Sequence, residues 1–141
     1  MALTRPRSYQ LLDSDFKQSV RAITTVDVTL SGGAPSTVDT SVNLAAGDRV
    51  LVRAQNTGSQ NGIYVVQTLG TGSNGTWVRA NDFDATNKIS SGLQVYVEEG
   101  NVGGDKIYAL TTDNPITLGT TALTFSQIGG GGSTNPGGST G

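Results

Sequence analysis

Short apolar runs separated by turn residues constrain this chain most. Between residues 20 and 128 these runs recur about every 8 to 15 residues, the spacing of a sandwich or barrel. Leu93, Val95 and Val97 alternate with polar Gln94 and Glu98, so one face of that run is buried. Gly, Ser and Thr fill 52 of the 141 positions, which suits strands and turns better than helices. The pattern predicts one all-β domain, a single antiparallel β-sandwich or flattened barrel.

The alternation also predicts which segments form strands and which side chains form the core. The predicted strands are 20–25, 26–30, 49–54, 63–68, 76–79, 93–98, 106–111 and 123–127. Residues 63–66 are apolar on both faces, so we expect a central strand covered on its second side by the N-terminal segment or a neighbouring subunit. The predicted core residues are Val28, Val50, Val52, Ile63, Val65, Trp77, Leu93, Val95, Val97, Ile107, Ala109, Leu123 and Phe125.

The two ends of the chain differ from the middle. Residues 1–19 are predicted to be an N-terminal arm, residues 20–128 the β-domain, and residues 129–141 a flexible, disordered Gly/Ser-rich tail. Residues 1–21 carry a net charge of +2, against −4 for the remainder. Leu12, Phe16 and Val20 follow at helical spacing around Asp13, which predicts one or two helical turns before the first strand.

The composition removes several kinds of chemistry. The chain contains no Cys and no His, so thiol nucleophiles, imidazole bases and zinc sites built on these residues are excluded. A net charge of −2 gives no footprint for nucleic acid or an anionic membrane. The N-terminus has no apolar signal-peptide stretch, and no run approaches a membrane span. We expect a non-enzymatic protein without metal or cofactor.

Three motifs allow a functional reading and a structural one. Residues 70–75 match G-x-G-x-x-G, but a predicted strand follows, which favours a hairpin loop over phosphate binding. Asp82 and Asp84, with neighbouring Asn81 and Asn87, could bind Ca²⁺ or act as an acid pair, but such residues are also typical of solvated loops. The aromatic residues could stack on a glycan or serve as core anchors; they are Tyr64, Trp77, Tyr96 and Tyr108.

Several motifs, in order, resemble a module of tail-fibre-like and other structural proteins of tailed bacteriophages, most familiar from phages of cyanobacteria. They are VRA at 20–22, GDRVLV at 47–52, QNGIYVV at 60–66, WVRA at 77–80, VEEG at 97–100 and PITLGTTALTF at 115–125. Residues 5–17 resemble the segment that precedes this module. The resemblance implies a virion structural role, a compact β-fold and oligomeric, often trimeric, assembly, with no catalytic motif. Tail fibres normally continue into a shaft or tip, whereas here only the Gly/Ser-rich tail follows.

The expected function is therefore a virion structural protein, made in the host cytoplasm without a signal peptide. A tail-fibre or baseplate-associated module anchored by the arm is the first expectation, and a capsid decoration (cement) protein on the outer shell is the alternative. A host-glycan-binding module ranks third. The expected partners are tail, baseplate or major capsid proteins and further copies of the chain, as a homotrimer. The arm is too apolar to be freely solvated, and its predicted partner-binding residues are Arg5, Arg7, Tyr9, Leu11, Leu12, Phe16 and Lys17.

Overall fold

The computed structural model describes residues 16–71 and 73–128, which form an all-β domain as the sequence predicts. Two short 3₁₀ turns, Gly58–Gln60 and Thr86–Lys88, interrupt the loops. The strands are β1 (Phe16–Val20), β2 (Ala22–Ile23), β3 (Thr37–Val38), β4 (Val42–Asn43), β5 (Arg49–Val52), β6 (Gly62–Thr68), β7 (Thr76–Arg79), β8 (Gln94–Val97), β9 (Lys106–Leu110) and β10 (Phe125–Ile128).

The strands form two four-stranded sheets and one separate pair. The first sheet has the order β1-β8-β9-β10, the second has the order β2-β5-β6-β7, and β3 pairs with β4. The β1/β8 and β2/β5 pairs are parallel, whereas the other pairs are antiparallel. The sandwich is therefore not purely antiparallel. Alternation could not reveal this, because side chains alternate with the same period in both kinds of pairing.

The chain passes from the first sheet to the second at Arg21, between β1 and β2. The backbone amide of Arg21 donates to the Arg49 carbonyl at 2.8 Å, and its carbonyl accepts from the Glu99 amide at 2.9 Å. One residue is thus bonded to a strand of the second sheet and to the end of a strand of the first. The N-terminal strand consequently holds the two sheets together.

The main core lies between the two sheets. It contains Val95 and Leu110 from the first sheet and Leu51 and Ile63 from the second, together with Phe83 from the loop after β7. Ten of the thirteen predicted core residues are buried, and Val28, Val65 and Ile107 are partly exposed. In β9 the predicted phase is wrong, because Tyr108 and Leu110 point into the core where Ile107 was expected to do so.

The second face of β6 is covered by the chain's own residues 28–44. Tyr64 and Val66 of β6 pack there with Val38, Val42 and Leu44 in a second apolar cluster. Because residues 28–44 cover β6, the expectation that an N-terminal segment or a neighbouring subunit covers this strand is wrong. The sequence does not show this layer, because β3 and β4 have two residues each and are too short to produce a period-2 pattern.

Two predicted local structures also differ. Residues 26–30 are not a strand, since the Val28 amide and carbonyl bond to the Gln55 side chain at 2.8 and 2.9 Å instead of to a neighbouring strand. Residues 16–20 are a strand and not a helical turn. The register shifts between Lys17 and Val20, as in a β-bulge, so the apolar spacing from Phe16 to Val20 only imitates a helical period.

Candidate functional site

Two predicted arm residues, Phe16 and Lys17, fall within β1 of the first sheet. Phe16 is 56% exposed, whereas Lys17 is buried and its Nζ donates to the Lys88 carbonyl at 2.7 Å. Lys17 therefore belongs to the domain's own packing. The other predicted partner-binding residues lie outside the described residues: Arg5, Arg7, Tyr9, Leu11 and Leu12.

The face of the first sheet that points away from the core carries several apolar side chains. Phe16 is paired with Gln94, and Tyr96, two residues further along β8, is 41% exposed. Tyr96 lies opposite Ile107, which lies opposite Ile128, and residues opposite each other share a face. We call this surface the outer face; its residues are Phe16, Gln94, Tyr96, Ile107, Ala109, Ser126 and Ile128, of which Ala109 is buried.

Tyr96 is the polar anchor of the outer face. Its hydroxyl donates to Asp105 Oδ1 at 2.9 Å. This hydrogen bond, together with the nearby negative charges of Asp105 and Glu98, raises the pKa of the Tyr96 phenol. The face therefore offers an aromatic ring beside two carboxylates, an arrangement that suits a partner with apolar and basic residues.

An open groove of about 490 Å³ lies between Gln18 of β1 and the residues of β5, β6 and β7 in the second sheet. Its central feature is Arg49, whose guanidinium binds both oxygens of Asp82 at 3.0 Å and donates to the carbonyls of Gln18 and Ser19 at 2.8 and 3.1 Å. The guanidinium thus occupies backbone acceptors of β1 and fixes the strand against the second sheet. Asp82, a candidate metal ligand or acid from the sequence, holds this arginine.

Two further groups form ion pairs: Asp84, the second acidic candidate, and Arg21, where the chain passes from the first sheet to the second. Lys88 Nζ lies 2.7 Å from Asp84 Oδ1, and this hydrogen bond lowers the pKa of Asp84. Arg21 lies 2.7 Å from Asp48 and 3.3 Å from Glu99, and the bond to Asp48 raises the pKa of Arg21. Among the described residues, no three acidic side chains form a group that could hold a metal ion.

The four aromatic residues do not share a surface. Tyr64 and Trp77 lie in the second apolar cluster, Tyr108 lies in the main core, and only Tyr96 is well exposed. The structure therefore does not assemble them into a stacking platform for a glycan. Alternation indicates the buried face for Trp77 and the exposed face for Tyr96, but it gives the wrong face for Tyr108, because the phase of β9 differs from the predicted one.

Arg79 lies between aromatic rings at the edge of the second sheet. Its guanidinium carbon is 5.0 Å from the Tyr64 ring centre and 5.9 Å from that of Phe83, and it donates to the carbonyls of Asn61 and Ser59. Burial lowers the pKa of Arg79 and raises that of Tyr64. Both groups are used to position the loop before β6.

The glycine-rich motif at 70–75 joins β6 to β7, which are antiparallel neighbours. Its predicted reading as a hairpin loop is confirmed, and the strand β7 stands where a phosphate-binding helix would have to begin. In the part of the chain that the structure describes, no helix has the length and apolarity to cross a bilayer.

Comparison with known proteins gives no further assignment. No protein-family model, no curated protein and no solved structure matches the chain.

Proposed function

We propose that this chain is a non-enzymatic structural protein of a tailed-phage virion, a tail-fibre or baseplate-associated module anchored by its N-terminal arm. The resemblance of the motifs between residues 20 and 125 supports the virion role, and the observation that carries the anchoring is the position of Phe16. This residue begins β1 and lies on the exposed outer face. The preceding residues therefore join the domain beside two exposed aromatic side chains, Phe16 and Tyr96, which supports an arm that anchors the domain next to a docking face.

The use of charged residues supports an architectural role. Arg49 and Asp82 connect β5 to the loop after β7, and Arg21 pairs with Asp48 and Glu99 at the junction of the sheets. Asp39, which is 2% exposed, accepts hydrogen bonds from the Val102 and Gly103 amides. Each of these groups joins segments that are distant in sequence, so the charges hold the fold together.

The proposal includes assembly into a homotrimer. Phe16 and Tyr96 expose aromatic surface that gains free energy when a partner covers it, at roughly 25 cal/mol per Å². A closed symmetric assembly buries such a surface once on every subunit. Sedimentation of the full chain tests this part, and a monomer at all concentrations would contradict it.

The location in the particle is tested by cryo-electron microscopy of the whole virion. Density for the β-sandwich at the tail, in copies that follow the tail symmetry, is the expected result. Copies spread over the icosahedral shell would overturn the tail assignment in favour of the capsid decoration protein. Absence from both places would overturn the virion role.

Deletion of residues 1–15 tests the anchoring. The deletion must end before Phe16, because a longer one removes part of β1. We expect the truncated protein to keep a β-type circular dichroism spectrum and to be lost from particles. Incorporation at the level of the full chain would contradict an anchoring arm.

A further inference from the structure

The outer face of the first sheet differs from the corresponding face of the second sheet. Residues 28–44 cover the second sheet and bury Tyr64 and Val66. No comparable layer of described residues covers the first sheet, where Phe16 and Tyr96 are 56% and 41% exposed. These two rings share one face with Ile107 and Ile128, and apolar side chains grouped on one face indicate a surface that another segment covers.

The N-terminal residues fit this surface in composition, and their first part fits it in charge. Residues 1–15 include Leu3, Tyr9, Leu11 and Leu12, which can cover the rings of the outer face. Arg5 and Arg7 give residues 1–10 a side-chain charge of +2, whereas Asp13 and Asp15, close to Phe16, bring the fifteen residues to zero. The carboxylates next to Tyr96, Asp105 and Glu98, are opposite in charge to these arginines. Apolar contacts supply affinity, and complementary charges beside them fix the register of a bound segment.

Residues 1–15 also form a segment long enough to cross the outer face. Fifteen extended residues reach up to about 50 Å, and four strands about 4.8 Å apart span about 15 Å. In its own subunit this segment enters at Phe16, at the end of the face where β8 begins, and Tyr96 lies further along. The chain would have to reverse direction to reach its own Tyr96, whereas the segment of a neighbouring copy does not have to start at this end of the face.

We propose that residues 1–15 of one copy bind the outer face of a second copy, so that neighbouring subunits exchange their N-terminal segments. This inference rests on the homo-oligomeric part of the proposed function and names the surface that mediates it. Each subunit then supplies one segment and receives one, and in the proposed homotrimer three such contacts close a ring. Tyr96 is the central contact, with Phe16, Ile107 and Ile128 around it.

Cysteine cross-linking tests the exchange directly, because the chain has no cysteine of its own. A tagged copy with Leu12→Cys is co-expressed with an untagged copy carrying Ile107→Cys, and the mixture is mildly oxidised. We expect a disulfide that joins tagged to untagged chains. The control replaces Ile107→Cys with Val26→Cys, an exposed apolar position in the loop after β2, and should give no such product.

The outcomes separate this inference from the proposed oligomer. Sedimentation of the uncross-linked protein reports assembly independently. An oligomer without the 12–107 disulfide overturns the exchange and leaves the oligomer intact, and a monomer overturns both. A further variant carries Leu12→Cys and Ile107→Cys in the same chain. If its disulfide formed only within single chains, the segment would bind its own subunit and the exchange would be overturned.

A surface substitution gives a second readout. Tyr96→Ser should raise the Kd for self-association at least about tenfold, because truncating a central aromatic contact has that effect on an interface. Val26→Ser removes an exposed apolar side chain elsewhere and should leave the Kd unchanged. Equal assembly of the two variants, both with the wild-type circular dichroism spectrum, would overturn the role of the outer face.

Discussion

The carboxylate of Asp39 accepts a hydrogen bond from the backbone amide of Gly103 at 2.8 Å, across 64 positions of sequence. The same carboxylate accepts from the Val102 amide at 2.9 and 3.0 Å. Asp39 has a φ of 47° in the turn between β3 and β4, and it is 2% exposed. The bond therefore joins the layer that covers the second sheet to the loop between β8 and β9.

Replacing Asp39 by Ala should lower the free energy of unfolding by about 1–3 kcal/mol, the cost of leaving buried amides without an acceptor. Urea denaturation followed by circular dichroism measures it. Asp113→Ala, at an exposed loop position, is the control and should change stability by less than about 0.5 kcal/mol. Equal midpoints for the two variants would show that Asp39 does not hold the loop.

Phe83→Ala should be among the most damaging single substitutions, with a loss of about 3–5 kcal/mol. Phe83 is fully buried, and its ring centre lies 6.1 Å from that of Phe125. Leu69→Ala removes a large apolar side chain from a position that is 38% exposed and outside the outer face, and it should cost far less. Thermal unfolding of the two variants compares them, and similar melting temperatures would contradict the central position of Phe83.

The role of Phe83 illustrates where sequence reasoning stops. The predicted strands at 49–54, 63–68, 76–79, 93–98 and 106–111 correspond to β5 to β9, because each has enough residues for alternation to be visible. Phe83 stands between two aspartates, which locally indicates a solvated loop. Only the tertiary structure, in which Asp82 turns to Arg49 and Asp84 to Lys88, lets the ring between them enter the core.

The candidate site was predictable only in part. Alternation along residues 93–98 places Tyr96 on the opposite side from Val95 and Val97, so its exposure follows from the sequence. The neighbours of Tyr96 do not, because the phase of β9 and the parallel pairing of β1 with β8 depend on contacts distant in sequence. The hydrogen bond between Asp39 and Gly103 could not be predicted for the same reason, because the two residues are 64 positions apart in sequence.

Substitution of Gly62 by Ala tests the close packing at the start of β6. Its φ is 146°, and an added Cβ would lie 2.5 Å from both Arg79 Nη1 and Phe83 Cε1. Gly47 also has a positive φ, 94°, but open space surrounds it. Gly62→Ala should therefore lose about 1–3 kcal/mol more than Gly47→Ala, because it adds overpacking to backbone strain. Equal unfolding midpoints in urea would contradict this packing.

Alkaline pH should destabilise the domain through its tyrosines. Burial raises the pKa of Tyr64 and Tyr108 above the ordinary 10.0, and the hydrogen bond to Asp105 raises that of Tyr96. The unfolded chain then loses these protons at lower pH than the folded one. The stability is fully present below about pH 10 and is lost as the pH rises through the folded-state pKa values.

Tyr64→Phe isolates one of these groups. At neutral pH it should lower stability by about 1 kcal/mol, since the Tyr64 hydroxyl donates to the Gln60 carbonyl at 2.6 Å. Above about pH 10 the variant should lose stability less steeply than the wild type, because a buried phenol no longer resists ionisation. Urea midpoints at a series of pH values, with tyrosinate absorbance as a parallel titration, measure both effects. If the wild type and the variant lost stability with the same slope, the alkaline sensitivity would not come from the buried phenol of Tyr64.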